Sequence, residues 1–161
     1  MRKLLLTILV CLSITVNAQT VQRWKAEDLL AYAEQSDSAL VINFWATYCS
    51  PCIAELPWFH TITARYKSQK VKLLLVSLDF EEMFPQRIIE FARKRKYSAK
   101  IVWLDEEKPD EFCPKIDKRW TGSMPATLFF NKKKGYRNFI EAEMKPSDLE
   151  KEIRIMLGFA D

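Results

Sequence analysis

The sequence predicts an α/β protein: a central mixed sheet with helices on both faces, ending in a C-terminal β-hairpin plus helix. Three observations predict this class. Two apolar runs rich in β-branched and aromatic residues, 39–45 and 71–78, have the length and composition of strands buried on both faces. Segments with helical apolar spacing separate these runs and follow them, the alternation that builds parallel strands joined by helices. Near the C-terminus two strand-like runs flank Lys132-Lys133-Lys134-Gly135, and a helical segment closes the chain.

The elements follow in order. Residues 26–35 read as a helix whose apolar side carries Leu29, Leu30 and Ala33, with Trp24 just before it. Residues 39–45 form the first strand. The helix of residues 51–67 starts with Pro51 in its first turn, where a missing amide hydrogen costs nothing. Pro57 lies inside that helix and is expected to bend it. Residues 71–78 form a second buried strand, with Asp79 at its carboxyl end. A helix over 85–96 carries Ile88, Ile89, Phe91 and Ala92, and 101–104 is a short third strand. Residues 110–120 read as a helical or irregular connector with Phe112, Ile116 and Trp120 at helical spacing. Strands 126–130 and 136–140 form the hairpin. The last helix, 147–157, is expected to open on a capping box formed by Ser147 and Glu150.

The first 18 residues stand apart. Met1-Arg2-Lys3 is positively charged, residues 4–16 are mostly apolar, and Val16-Asn17-Ala18 resembles a cleavage site. Such a segment reads as a secretory signal peptide, the alternative being an uncleaved membrane anchor; the apolar run is shorter than the ~20 residues a spanning helix needs. The expected organisation is therefore a leader, 1–18, and one domain, 19–161, in a periplasmic or otherwise extracytoplasmic setting. A hydrophobic content of 48% and a charged content of 29% suit one globular domain. The net charge of +4 includes Arg2 and Lys3. The basic runs 93–96 and 132–134 fall at a helix end and a hairpin turn without interleaved aromatics, so no nucleic-acid partner is expected. Beyond the leader only Cys49, Cys52 and Cys113 remain, too few for a disulfide scaffold.

Cys49-Ser50-Pro51-Cys52 joins a strand to a helix. A cysteine there faces helix-terminal amides that favour its thiolate, and Cys52 stands almost one turn further, close enough to exchange disulfides with it. The competing readings are a static disulfide or half of a zinc site. A zinc site needs four ligands, with only Cys113 and His60 left to help. Copper(I), which favours thiolates, would make a carrier of the same pair.

Phe44-Trp45-Ala46-Thr47-Tyr48-Cys49-Ser50-Pro51-Cys52, Pro57 and Ser123-Met124-Pro125-Ala126-Thr127 together resemble the thioredoxin superfamily. Glu55-Leu56-Pro57 and the extra helix and strand between 85 and 104 are similar to its TlpA/ResA-type extracytoplasmic branch. The resemblance spans roughly 24–157. It implies a thioredoxin-like fold and an enzyme, a protein-disulfide oxidoreductase with no cofactor. Cys49 would be the nucleophile and Cys52 the resolving thiol, with a redox-active disulfide between them. Ser50 and Pro51 would tune the pair. Pro125 would follow a cis bond and face the cysteines, Met124 would offer its backbone to a substrate chain, and Tyr48 would border the site in place of the family's usual tryptophan. Asn43 replaces the buried aspartate of thioredoxin, and Glu55 becomes the candidate proton acceptor. Gly122 lies one residue further from the proline than in the common Gly-x-Pro pattern.

The implied activity is reduction of client-protein disulfides by a monomer, recharged by a membrane or extracytoplasmic electron donor. Residues 79–84 and 106–114 are expected to border the site. Cys113 is expected to be a buried free thiol. A peroxiredoxin-like thiol peroxidase is the alternative suggested by Thr47 and Cys49, although that motif's proline is replaced by Phe44.

Overall fold

The computed structural model describes residues 20–159; the expected leader, 1–18, lies outside them. The chain runs β1 (Gln22–Trp24), α1 (Ala26–Gln35), β2 (Ala39–Trp45), α2 (Ser50–Arg65), β3 (Val71–Ser77), α3 (Gln86–Lys94), β4 (Lys100–Leu104), α4 (Pro109–Ile116), β5 (Ala126–Asn131), β6 (Tyr136–Ile140) and α5 (Pro146–Leu157). Three 3-10 turns lie at Lys67–Gln69, Glu81–Met83 and Lys132–Lys134. The six strands form one sheet in the order β1-β4-β3-β2-β5-β6. β1, β4, β3 and β2 run parallel, and β5 and β6 are antiparallel, which makes the sheet mixed as the sequence predicts.

Both faces of the sheet are buried because side chains alternate along each strand. Leu40, Ile42 and Phe44 of β2 pack with Leu74, Val76, Val102 and Leu128 beneath α1 and α4. Val41 of β2 turns to the other face, where Phe59 and Ile62 of α2 meet Phe129 and Leu149, Ile153 and Met156 of α5. Trp45 joins Cys52 and Leu56 of α2, Leu75, Ile101 and Ile88 and Ala92 of α3. The i, i+4 pair Ile88 and Ala92 is what a short helix needs to bury one stripe, the rest of α3 being polar or half-buried.

Three features depart from expectation. β1 was not foreseen: Gln22–Trp24 is a strand because Gln22, Arg23 and Trp24 pair with Val102, Trp103 and Leu104 at the sheet edge. Trp24 therefore belongs to a strand rather than to the following helix. Residues 110–120 resolve into a helix, Pro109–Ile116, followed by a turn. The Ser147–Glu150 capping box does not form. Pro146, with its preset φ, takes the first helical position and Lys145 becomes the cap, so Ser147 lies inside the first turn. Glu150 instead accepts from Arg65 Nη2 and Tyr66 Oη, both at 3.1 Å, tying α5 to the end of α2.

Candidate active site

The carboxyl end of β2 passes through Ala46, Thr47 and Tyr48 into α2. Cys49 is the N-cap of α2, and Ser50 and Pro51 open the helix, exposed to solvent. Cys49 and Cys52 are joined by a disulfide with Cα atoms 5.3 Å apart. Cys49 is half-buried, whereas Cys52 is fully buried against Trp45 and Leu56. The amide of Cys52 points at Cys49 Sγ, 3.4 Å away. Pro51 offers no amide and the Ile53 amide is taken by the Cys49 carbonyl, so the first turn directs few donors at the sulfur. Those donors and the positive end of the helix dipole favour a thiolate at Cys49 in the reduced state. The outer sulfur is reachable and the inner one is shielded.

Glu55 lies one turn along α2 and is completely buried. Its Oε1 accepts from Asn43 Nδ2 at 2.8 Å, and its Oε2 accepts from the Met144 amide at 2.9 Å. Asn43 also donates to Thr127 Oγ1 at 3.1 Å, a contact created by the antiparallel pairing of Asn43 with Thr127. Burial pushes the Glu55 carboxyl up to about 7, against the two hydrogen bonds that favour its charged form. A buried carboxyl one helical turn from Cys52 that exchanges its proton near neutrality has the chemistry of a proton acceptor.

The peptide bond Met124–Pro125 is cis, with Pro125 buried and Met124 half-buried. Met124 and Cys49 both pack against the apolar cluster that holds Cys52, so the loop before β5 reaches the cluster that carries the cysteine pair. Two carboxylates pin the loops on either side of the disulfide. Asp79 accepts from the Thr47 amide at 3.0 Å, from Thr47 Oγ1 at 2.5 Å and from Ser77 Oγ at 2.7 Å. Glu141 accepts from the Thr121 amide at 3.1 Å, Thr121 Oγ1 at 2.5 Å and the Ser123 amide at 2.9 Å. The sequence marks Asp79 as a strand end in a segment that borders the site but not as a clamp on Thr47, and it gives no sign of Glu141. Gly122, between the two bonded residues, has φ +94°, a conformation that side chains disfavour.

Beside Cys49, Tyr48 stacks on Phe80, their rings 5.0 Å apart and 10° from parallel. Both rings are largely exposed. They form one side of a cavity of about 410 Å³ that reaches Met124 and is walled by residues 78–82, 103–107 and Pro109. Of the segments expected to border the site, 79–84 and 106–114, residues 79–82, 106, 107, 109 and 112 line this cavity. Phe84–Pro85, in the first of them, is a second cis bond. Cys113 is buried and free, and burial pushes its thiol up to about 11. His60 is half-buried and stacked on Tyr97 at 4.4 Å. Among the described residues no group of three or more His, Cys, Asp or Glu is placed to hold a metal ion. No helix among them is long and apolar enough to cross a membrane.

A mixed six-stranded sheet with a cysteine pair at the N-terminus of its central helix and a facing cis-proline loop defines a thioredoxin-like protein. The chain belongs to the AhpC/TSA family, which it matches over residues 12–135. It is 41% identical over 51 residues to the thiol-disulfide oxidoreductase ResA of Oceanobacillus iheyensis, a match covering 32% of this chain and 27% of that one. It is 26% identical over 112 residues to ResA of Geobacillus kaustophilus, covering 70% of this chain and 59% of the relative. The matched stretch thus spans less than two thirds of either relative's length. In fold it is similar to a thioredoxin-related protein from Neisseria meningitidis serogroup B, with a TM-score of 0.65 and 22% identity over 78% of this chain and 90% of that one.

Proposed function

We propose that this chain is an extracytoplasmic thiol-disulfide oxidoreductase that reduces disulfides in client proteins. The observation that carries the reading is the asymmetry of the pair: Cys49 is half-buried at a helix N-terminus and Cys52 is wholly buried behind it. In the reduced protein the Cys49 thiolate attacks one sulfur of the client disulfide, and the other client sulfur leaves as a thiolate and takes a proton from water. Cys52 gives its proton to the Glu55 carboxylate and attacks Cys49 Sγ. The Cys49–client bond breaks, the Cys49–Cys52 disulfide forms, and the second client sulfur leaves as a thiolate that takes a proton from water. Two electrons have passed from the protein to the client.

Recharging then requires a dithiol donor in the same compartment, consistent with the leader that precedes the domain. Met124 and Pro125 lie beside the pair where a client backbone would approach, and Tyr48, Ser50 and Pro51 form the exposed rim. The names of the ResA relatives support this activity. The Thr47 hydroxyl is already donated to Asp79, which favours the dithiol reaction over a peroxidase in which Thr47 would serve the cysteine.

The test is trapping. Cys52→Ala leaves a mixed disulfide unresolved, so the variant expressed with its leader is expected to accumulate covalent adducts with client proteins. Those adducts should disappear on reduction and when Cys49 is also replaced. Recovery of no Cys49-dependent adduct from cells would falsify the proposal.

A further inference from the structure

Large apolar side chains are rarely left in water in a patch without a use. Among the described residues three are strongly exposed: Tyr48, Phe80 and Phe159. Two of the three are stacked on each other beside Cys49, at the mouth of the groove that runs to Met124. The charge of that groove is one-sided. Six carboxylate residues line it and no basic side chain does, in a protein of net charge +4.

The six are not equivalent. Asp79 is buried and saturated by Thr47 and Ser77. Asp105 is paired with Arg23 and Lys25, and Glu81 with Arg23. Glu106 accepts from the Ala26 amide at the start of α1. Glu82 and Glu107 are exposed, and neither has an ion-pair partner among the described residues. Two unpaired negative charges therefore flank an aromatic shelf that adjoins the reactive sulfur.

We propose that this groove selects clients, docking a polypeptide segment that carries a lysine or arginine and an aromatic residue next to its disulfide. The inference rests on the oxidoreductase function proposed above and names its substrate class. The aromatic residue lies on the Tyr48–Phe80 shelf, the basic residue reaches Glu82 and Glu107, and the segment's cysteine is thereby held at Cys49. Basic groups over aromatic rings gain from both the carboxylates and the ring faces. An acidic segment meets uncompensated repulsion at the same place.

The experiment uses the reduced protein and three peptides, each with one internal disulfide, flanked by Lys-Tyr-Arg, by Lys-Ser-Arg or by Glu-Tyr-Glu. Oxidation of the protein is followed by alkylation and mass spectrometry, and each rate is divided by the same protein's rate on bis(2-hydroxyethyl) disulfide, a small neutral substrate. The Lys-Tyr-Arg peptide is expected to react about three- to tenfold faster than the Glu-Tyr-Glu peptide at low ionic strength, the range that exposed charge pairs supply. The ratio should fall toward one at about 0.5 M salt, where screening is strong. The double variant Glu82→Gln/Glu107→Gln should bring the ratio below about two, and Phe80→Ser should abolish the advantage of Lys-Tyr-Arg over Lys-Ser-Arg. Equal rates for basic and acidic peptides, or a preference that survives both variants, overturn the groove assignment while the redox activity stands. A wild-type protein that reduces neither the peptides nor bis(2-hydroxyethyl) disulfide overturns the oxidoreductase function itself, and the inference with it.

Discussion

Glu55, the proposed proton acceptor, is completely buried. Its carboxyl is raised from an ordinary 4.5 to about 7 by burial, which favours the protonated folded state by about 3 kcal/mol. The sign of the pH effect follows. The folded protein holds this proton more tightly than the unfolded chain, so Glu55 lowers stability progressively as pH rises from about 4.5 through about 7. Glu55→Gln removes that dependence. The glutamine oxygen can still accept from Asn43, but its amide meets the Met144 amide as donor against donor. The variant should therefore be about 1–3 kcal/mol less stable than wild type at pH 5, where one unmade hydrogen bond decides. The gap should close or reverse by about pH 8, where the wild type holds a buried charge. Urea unfolding at the two pH values measures this, and a constant offset would rule the buried-proton account out. In kinetics, the resolving step should accelerate through about pH 7 in wild type and lose that inflection in the variant.

Elements position these side chains, and their legibility in the sequence divides along the same line. The long strands and helices were readable because their signals are local: seven successive buried residues in β2 leave little choice. The pair Cys49 and Cys52, with Pro125 and Glu55, was readable because each sits at a fixed offset within a short motif. β1 was not, because Gln22, Arg23 and Trp24 have no strand pattern of their own and extend only along β4. The α5 cap failed because two local signals competed and Pro146 prevailed over Ser147. The two loop clamps were hidden for a different reason. Asp79 meets a residue 32 positions away, and Glu141 meets residues 18 and 20 positions away, so only the folded sheet brings them together.

Glu141 carries a prediction of its own at this level. It stands just beyond β6 and holds Thr121 and Ser123, the residues leading into Met124 and Pro125. Despite partial burial, the hydrogen bonds from Thr121 and Ser123 keep its carboxyl below the usual range. The clamp is therefore present above the ordinary carboxyl range and released as pH falls through the lowered value. Glu141→Ala should slow reduction of peptide disulfides about five- to tenfold more than reduction of bis(2-hydroxyethyl) disulfide, the scale of one charge-assisted hydrogen bond. The loss should appear in KM rather than kcat, because Glu141 holds the loop proposed to bind the client and bonds to Thr121 and Ser123 rather than to the cysteines. Equal slowing of both substrates would show that it only supports the fold.

Across the whole molecule, aromatic side chains occupy two regimes that should separate in experiment. Trp120 lies on the α1 and α4 side of the sheet, with its ring 4.5 Å from Phe44, 5.5 Å from Phe139 and 5.7 Å from Phe112. It is 4% exposed, and its Nε1 donates to the Ser123 carbonyl at 3.0 Å. The core beneath the sheet is thus continuous with the loop that precedes Met124. Phe80, 59% exposed, stacks its ring on Tyr48. Trp120→Ala should cost about 3–5 kcal/mol, since it opens a cavity among three other rings. Against a typical total of about 5–15 kcal/mol, that is enough to threaten folding at physiological temperature. Trp120→Phe keeps most of the packing and removes only the indole donor, so it separates the loop contact from the core. Phe80→Ser should change stability by less than about 1 kcal/mol, as surface substitutions do. Denaturant unfolding of the three variants measures the contrast. A cost for Phe80→Ser comparable to that of Trp120→Ala would mean that the Tyr48–Phe80 stack belongs to the fold. A small cost leaves the stack free for contacts outside the molecule, next to the more exposed sulfur of the cysteine pair.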